Sequence, residues 1–420
     1  MYRKITLDNG LRLITSSMPH THSVSVVFFI GVGSSYEAEA EAGISHFIEH
    51  LCFKGTEKRR SSKEISEAIE SVGGMINGGT DKEITTFWCK VTSQHFLLAL
   101  DVLTDLLRNS YFDAKEIDRE RQIIIEEINM CLDSPGQRVG MLIDELLWPG
   151  QPLGRDVAGN KETVNALTRQ RMLDFFHHHY LPNNIVVSIA GDIEQEQMQD
   201  IINQALGDWK PNKVSTHTPN GSKQEASRLH IELRDTEQAH LCLGVPALSL
   251  LHPDRFTVDL LSLILGEGMS SRLFTEIRER QGLAYDIHSY IDHYTDSGAM
   301  IIHAGVDPQR VDSTLGAILN QLSQLKENIS EIELNRAKEL AKGRLLLSLE
   351  NSRNVAAWLG VQELLINRIL TIDKVTCLVD AVTTEDLRRV AHQLLTSEKL
   401  NLAIVGPVKD EQPLVKLLKL

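Results

Sequence analysis

Residues 46–50 read His-Phe-Ile-Glu-His, and few five-residue patterns restrict a chain as much. His46 and His50 are four apart, about 400° around a helix, so they return to one face. Two imidazoles one turn apart can grip a single ion, which requires this segment to be helical. Glu49, a turn from His46, lies where it can take a proton from a water held by that ion.

A hydrolytic metal ion usually has three protein ligands and keeps one position for water. The third ligand should come from another element, and 112–128 reads as a helix. Ile117, Ile124, Ile125 and Ile128 give it an apolar stripe at helical spacing. Glu120 and Glu127 are seven apart, about 700°, and share one of its faces. Glu126 points away by about 100°. The order His-x-x-Glu-His inverts the commoner His-Glu-x-x-His, as inverted zinc metallopeptidases do.

With these residues in view the chain resembles the pitrilysin/insulysin superfamily, in the short-chain branch that includes the mitochondrial processing peptidase. That family carries HxxEH, then 76 residues, then a liganding glutamate. Residues 51–126 fill that interval, so the resemblance puts the metal ligands on His46, His50 and Glu127 and the general base on Glu49. It implies one Zn2+ per chain. Glu120 matches the family's second acidic residue, which orients a ligand. The stretches 33–37 (Gly-Ser-Ser-Tyr-Glu) and 51–56 (Leu-Cys-Phe-Lys-Gly-Thr) also resemble the family pattern.

Two further segments carry the likeness. Gly73-Gly-Met-Ile-Asn-Gly-Gly-Thr resembles the family's GGxxNAxT; its glycines suit a tight turn, and 85–91 reads as an edge strand after it. The family pairs that edge with substrate backbone, which implies peptide contact near Asn77, Gly78, Gly79 and Thr80. Gly78 departs from the usual alanine. In the other half, 265–285 resembles the family's C-terminal signature. Its Arg278 and Tyr285 match an Arg/Tyr pair, a cation and a phenol suited to holding oxyanion charge.

Other histidines read differently. His177, His178 and His179 end a predicted helix and read as packing and surface. His240 reads as strand packing.

A polar stretch at 211–227 divides the 420 residues almost in half, with the composition of a linker. The halves carry a faint repeat: 185–191 resembles 402–406, and 24–33 resembles 239–246. Apolar strands mix with long helical stretches at 94–108 and 329–350. The expectation is an α+β fold of two homologous domains, each a mostly antiparallel sheet packed against helices: 1–212 with the zinc site, a linker at 213–228, and 229–420 without HxxEH but with the Arg/Tyr pair. By resemblance, such a chain forms half of a clamshell chamber. The other half would be a second copy, or a paralogous subunit, whose Arg278 and Tyr285 complete the site. A homodimer is expected because one chain carries both parts.

The net charge of −14 argues against nucleic acid and against anionic membrane surfaces as partners. Five scattered cysteines without a Cys-x-x-Cys fit reduced thiols. The chain starts without an apolar signal core, and its most apolar early run, 24–32, is far shorter than a membrane span. A cytoplasmic protein is expected. The function these readings imply is a zinc-dependent endopeptidase acting on unstructured or presequence-like peptides. The alternative is a non-catalytic interaction subunit of a larger peptidase-like complex; such subunits usually lose part of the HxxEH constellation.

Overall fold

The computed structural model describes residues 2–214, 219–220 and 224–420. They form two compact units. The first comprises Met1–Ile128, Asp156–Thr218 and Leu346–Ile369; the second comprises Asn129–Arg155, Pro219–Leu345 and Leu370–Leu420. The units therefore depart from the linear division at 1–212 and 229–420 in two places, because each half lends the other a short stretch. Of the expected linker at 213–228, residues 215–218 and 221–223 lie outside the described residues.

Strands β1 (Tyr2–Thr6), β2 (Arg12–Ser17), β3 (Ser23–Ile30), β4 (Met75–Thr80), β5 (Thr85–Thr92) and β6 (Ile185–Gly191) build the first unit's sheet, in the order β1-β2-β6-β3-β5-β4. Only β2 and β6 run parallel. β3 and β6 are buried almost end to end, as expected of predominantly apolar strands covered on both faces; their runs are interrupted only by small serines, of which Ser25 and Ser188 are buried. One cover is the lent helix Ser352–Val361. It packs Ala356 and Leu359 on Ile14, Val27, Phe29, Trp88 and Val186.

The second unit repeats the plan with β7 (Arg228–Leu233), β8 (Ala239–Pro246), β9 (Ala284–His293), β10 (Gly298–Val306) and β11 (Asn401–Gly406), in the order β7-β11-β8-β10-β9. Again only one pair, β7 and β11, is parallel. Its lent helix, Pro135–Leu147, buries Val139, Leu142, Ile143 and Leu147 against Cys242, Ile301, Ala403 and Val405. Full burial of each such side chain stabilises the packing by about 1.5–3 kcal/mol. The opposite face meets helices Arg255–Gly266, Val311–Glu327 and Thr384–Leu394.

With β1 set aside, β3 and β8 hold equivalent places in the two orders, as do β6 and β11. These are the segments whose sequences suggested a repeat. The fold is the α+β pair expected, with two sheets packed against helices. The long helical stretches appear as Phe96–Asn109 and Glu331–Ser348.

One strand assignment needs correction. The edge was expected at 85–91, after a turn built on the glycines. The edge strand is β4 itself, while β5 is paired on both sides, with β3 and β4. Two glycines and an asparagine carry little strand propensity, so β4 reads as a turn. Its backbone pairing with β5 is what makes it a strand. No helix among the described residues is long and apolar enough to cross a membrane.

Candidate metal centre

The helix Ile44–Cys52 begins with the means to hold its first turn. The carboxylate of Glu37 accepts hydrogen bonds from the amides of Gly43 and Ser45, both at 2.8 Å. Those amides have no partner inside the helix, and the negative charge suits its N-terminus. Gly43 has a φ of +93°, and a Cβ there would lie 2.4 Å from the Ala158 carbonyl oxygen. Only glycine fits both conditions. Phe47, Ile48 and Leu51 are buried, which leaves His46, Glu49 and His50 on the less buried face.

The second helix, Ala114–Asp133, buries Ile117, Glu120, Ile124 and Ile128. That phase turns Glu127 towards the histidines and leaves Glu126 exposed. Glu127 Oε2 lies 3.8 Å from His46 Nε2 and 3.8 Å from His50 Nε2. The two imidazole rings are 4.6 Å apart between centroids. One donor atom from each of His46, His50 and Glu127 falls within 4.8 Å of the others.

The residues fit a zinc ion. Zinc–ligand bonds of about 2.0–2.2 Å imply tetrahedral donor separations of roughly 3.3–3.6 Å, so spacings of 3.8 Å need only a small closure. Burial, then the neighbouring His50, pushes the His46 pKa down to about 4. His46 is thus neutral at pH 7, as a metal ligand must be. Its Nδ1 is buried without a hydrogen-bond partner among the described residues.

Glu120 is almost fully buried beneath His50. One of its oxygens lies 3.1 Å from His50 Nδ1, and the other 2.8 Å from Lys54 Nζ. Burial alone would raise its pKa; the hydrogen bonds from His50 and Lys54 outweigh this and hold it below the usual range. An ionised carboxylate only accepts, so His50 Nδ1 carries the proton and Nε2 is free to bind metal. Lys54 was not singled out from the sequence, although it stands in the 51–56 segment. Its spacing from His50, four residues along a helical pattern, was the available signal.

Glu49 Oε2 accepts a 2.7 Å hydrogen bond from the Thr80 hydroxyl. Burial raises the Glu49 pKa, and the Thr80 bond offsets only part of that rise. A carboxylate shifted upward is better matched to taking protons near neutral pH.

Strand alternation divides the four expected substrate residues. Gly78 pairs with Phe87 and Thr80 with Thr85, on the face that carries Glu49. Asn77 and Gly79 face the other way; Asn77 is exposed, and its Oδ1 accepts from the Gly78 amide at 2.8 Å. A Cβ on Gly78 would come within 2.9 Å of Phe53 and 3.2 Å of Glu49 Oε1, so alanine at this position would crowd the base.

Arg278 and Tyr285 belong to the second unit. Arg278 lies on a π-helical stretch, Phe274–Arg280, with its guanidinium 4.6 Å from the Phe274 ring centroid and 4.8 Å from that of Tyr285. The register of β9 against β10 slips at Gly305/Val306, which leaves Tyr285 as the extra residue of a bulge, 78% exposed. Bulges and π-helical turns both tend to re-aim side chains at working sites. His179, by contrast, is buried against Phe175 and Tyr36.

A two-unit α+β frame bearing an HxxEH helix and a distant glutamate defines a metallopeptidase class. The chain belongs to peptidase family M16. The model for insulinase (peptidase family M16) matches residues 12–161, and that for the peptidase M16 inactive domain matches 166–340. An uncharacterized zinc protease of Streptomyces coelicolor is 36% identical over 98% of this chain and 90% of its own length. The uncharacterized zinc protease YmxG of Bacillus subtilis is 35% identical over 97% of this chain and 98% of its own. A protease from Helicobacter pylori superposes with a TM-score of 0.92 at 23% identity, covering 97% and 99% of the two chains. A chain of complex III2 from Candida albicans superposes with a TM-score of 0.85 at 19% identity over the full length of both, which shows a shared fold.

Proposed function

We propose that this protein is a zinc-dependent endopeptidase that cuts unstructured or presequence-like peptides. The observation that carries the reading is the convergence of His46, His50 and Glu127 on one point beside Glu49. His46, His50 and Glu127 would hold the ion. When bound there, zinc supplies an acidified water and a Lewis acid for the scissile carbonyl. Glu49 takes the water proton and returns it to the leaving amine. Glu120 keeps His50 in its ligating tautomer. Substrate backbone would add as a strand to the outer edge of β4, past Asn77, Gly78, Gly79 and Thr80.

Arg278 and Tyr285 would hold oxyanion charge at the site of another subunit, in a homodimer that closes a chamber. A mixture of Glu49→Gln and Tyr285→Phe chains tests this. Recovered activity supports sharing; no recovery, despite demonstrated subunit exchange, removes it. Reduced thiols and the acidic charge support a cytoplasmic peptidase without nucleic-acid or membrane partners. Among the described residues every cysteine is free.

The deciding experiment pairs wild type with Glu49→Gln, measures bound metal by mass spectrometry, and offers both a library of unstructured peptides. Zinc in both and cleavage by wild type alone is the expected result. Zinc in both and cleavage by neither would overturn the peptidase reading in favour of a non-catalytic interaction subunit. The intact donor set and Glu49 count against that alternative.

A further inference from the structure

The second unit holds another convergence of metal-binding side chains, on a different part of the fold and with different donors. Asp286 and His288 lie on β9, and His303 lies on β10. His303 pairs directly with His288, and Gly305 with Asp286, so all three side chains rise from one face of the sheet. His240 on β8 pairs with Gly305 and joins them on that face. The His288 and His303 rings are 5.2 Å apart, and those of His240 and His303 are 5.7 Å apart.

We propose that Asp286, His288 and His303 form a second site for a divalent transition ion, zinc in the first instance. The separations decide for an ion over a hydrogen-bonded cluster. Asp286 Oδ1 lies 3.5 Å from His288 Nδ1, and Asp286 Oδ2 lies 3.5 Å from His303 Nδ1. These are the spacings of donors around an ion bound at about 2.0–2.2 Å, which imply roughly 3.3–3.6 Å. They are too long for good hydrogen bonds. One donor atom from each of the three residues falls within 4.8 Å of the others, the same measure that the first cluster meets.

His303 Nδ1 and His240 Nδ1 are buried and hydrogen-bond to no protein group among the described residues. Leaving such atoms unpaired is unfavourable, and a bound ion offsets that at His303. Asp286 and His288 are about half exposed, which gives an ion a path in. Gly305 carries no side chain into the space between Asp286 and His240. Two imidazoles and one carboxylate are borderline donors that suit zinc and also take copper or nickel. His240 is a fourth imidazole beside them. The site starts one residue after Tyr285, so an ion here ties down the strand that follows the bulge.

The proposal is independent of the peptidase reading, and its test reads metal rather than activity. Full-length wild type, Asp286→Asn/His288→Gln and His46→Ala/His50→Ala would each be equilibrated with buffered free zinc, with bound zinc counted by native mass spectrometry. Circular dichroism would confirm that each is folded. The expected counts are two ions for wild type and one for each double variant. Zinc should also protect His288 from diethyl pyrocarbonate in the His46→Ala/His50→Ala chain. Removing a ligand should weaken the second ion at least about 10-fold, since even supporting groups of metal ligands are worth that much. A folded His46→Ala/His50→Ala chain that binds no ion overturns the proposal. So does a second ion that survives unchanged in Asp286→Asn/His288→Gln, because it would then sit elsewhere.

Discussion

Strand β4 closes one edge of the first sheet and β9 the equivalent edge of the second, yet the two edges carry opposite kinds of residue. β4 is short and glycine-rich; the titratable groups near it come from the neighbouring helix, in His46, Glu49 and His50. β9 is ten residues long and carries titratable side chains of its own in Tyr285, Asp286 and His288. The faces differ as well. In the first unit Glu49 meets β4 on the side of Gly78 and Thr80, opposite the face of Trp88 and Val27 that the lent helix covers. In the second unit the histidines stand on the same face as Cys242 and Ala403, the face that its lent helix covers. A duplicated frame thus fixes where strands lie, while function follows from which element is brought against which face.

Substitutions can break this comparison, beginning with the largest effect. His50→Ala should abolish both zinc binding at the first cluster and peptide cleavage, while leaving the proposed second ion in place. Native mass spectrometry that shows loss of both ions would mean the two clusters are not separate. Next in size, Tyr285→Phe should lower kcat about 10²-fold with zinc content unchanged, the scale of losing one oxyanion donor. An unchanged kcat would leave β9 without a catalytic part. Glu120→Gln should weaken zinc at the first cluster 10–100-fold, because His50 loses its charged anchor. Competition with a chelator measures this, and equal affinity would assign Glu120 to packing alone.

Smaller effects test the frame. Ile143→Ala, on the lent helix of the second unit, removes a fully buried side chain and should cost about 2–5 kcal/mol in denaturant unfolding. A cost near zero would deny that the lent helix is part of the core. Glu333 gives the smallest signal. Burial would raise its pKa, but Arg272 and the Ser330 amide and hydroxyl hold it down to about 2. A depressed carboxylate contributes stability that is present above its unfolded pKa, about 4.5, and is lost as pH falls through about 2. Glu333→Gln should therefore flatten stability over that acid range; an unaltered acid limb would refute the linkage.

Much of the first centre was legible because its rules are local. Helical periodicity alone put His46 with His50 and Glu120 with Glu127, and the interval of 76 residues joined the two helices by resemblance. The Glu37 cap was visible only as part of a family-like segment, since its amide partners depend on how the loop folds back. β4 was misread because local propensity is weak evidence where pairing supplies the order. His240 was read as a strand residue, and it lies on β8, but its neighbours were not foreseen: 240, 288 and 303 come from three strands whose register no local pattern gives.

What the sequence determined by itself was periodic: which side chains share a helix face, which runs are buried strands, and that the plan occurs twice. Those properties depend on residues a few places apart, whose geometry the backbone sets. What the tertiary structure decided was pairing across distance: the exchange of Pro135–Leu147 and Ser352–Val361, the Thr80 bond to Glu49, and the gathering of Asp286, His288 and His303. These contacts exist only once strands are in register and helices are packed. Close packing admits one arrangement of them, and a linear pattern cannot state which.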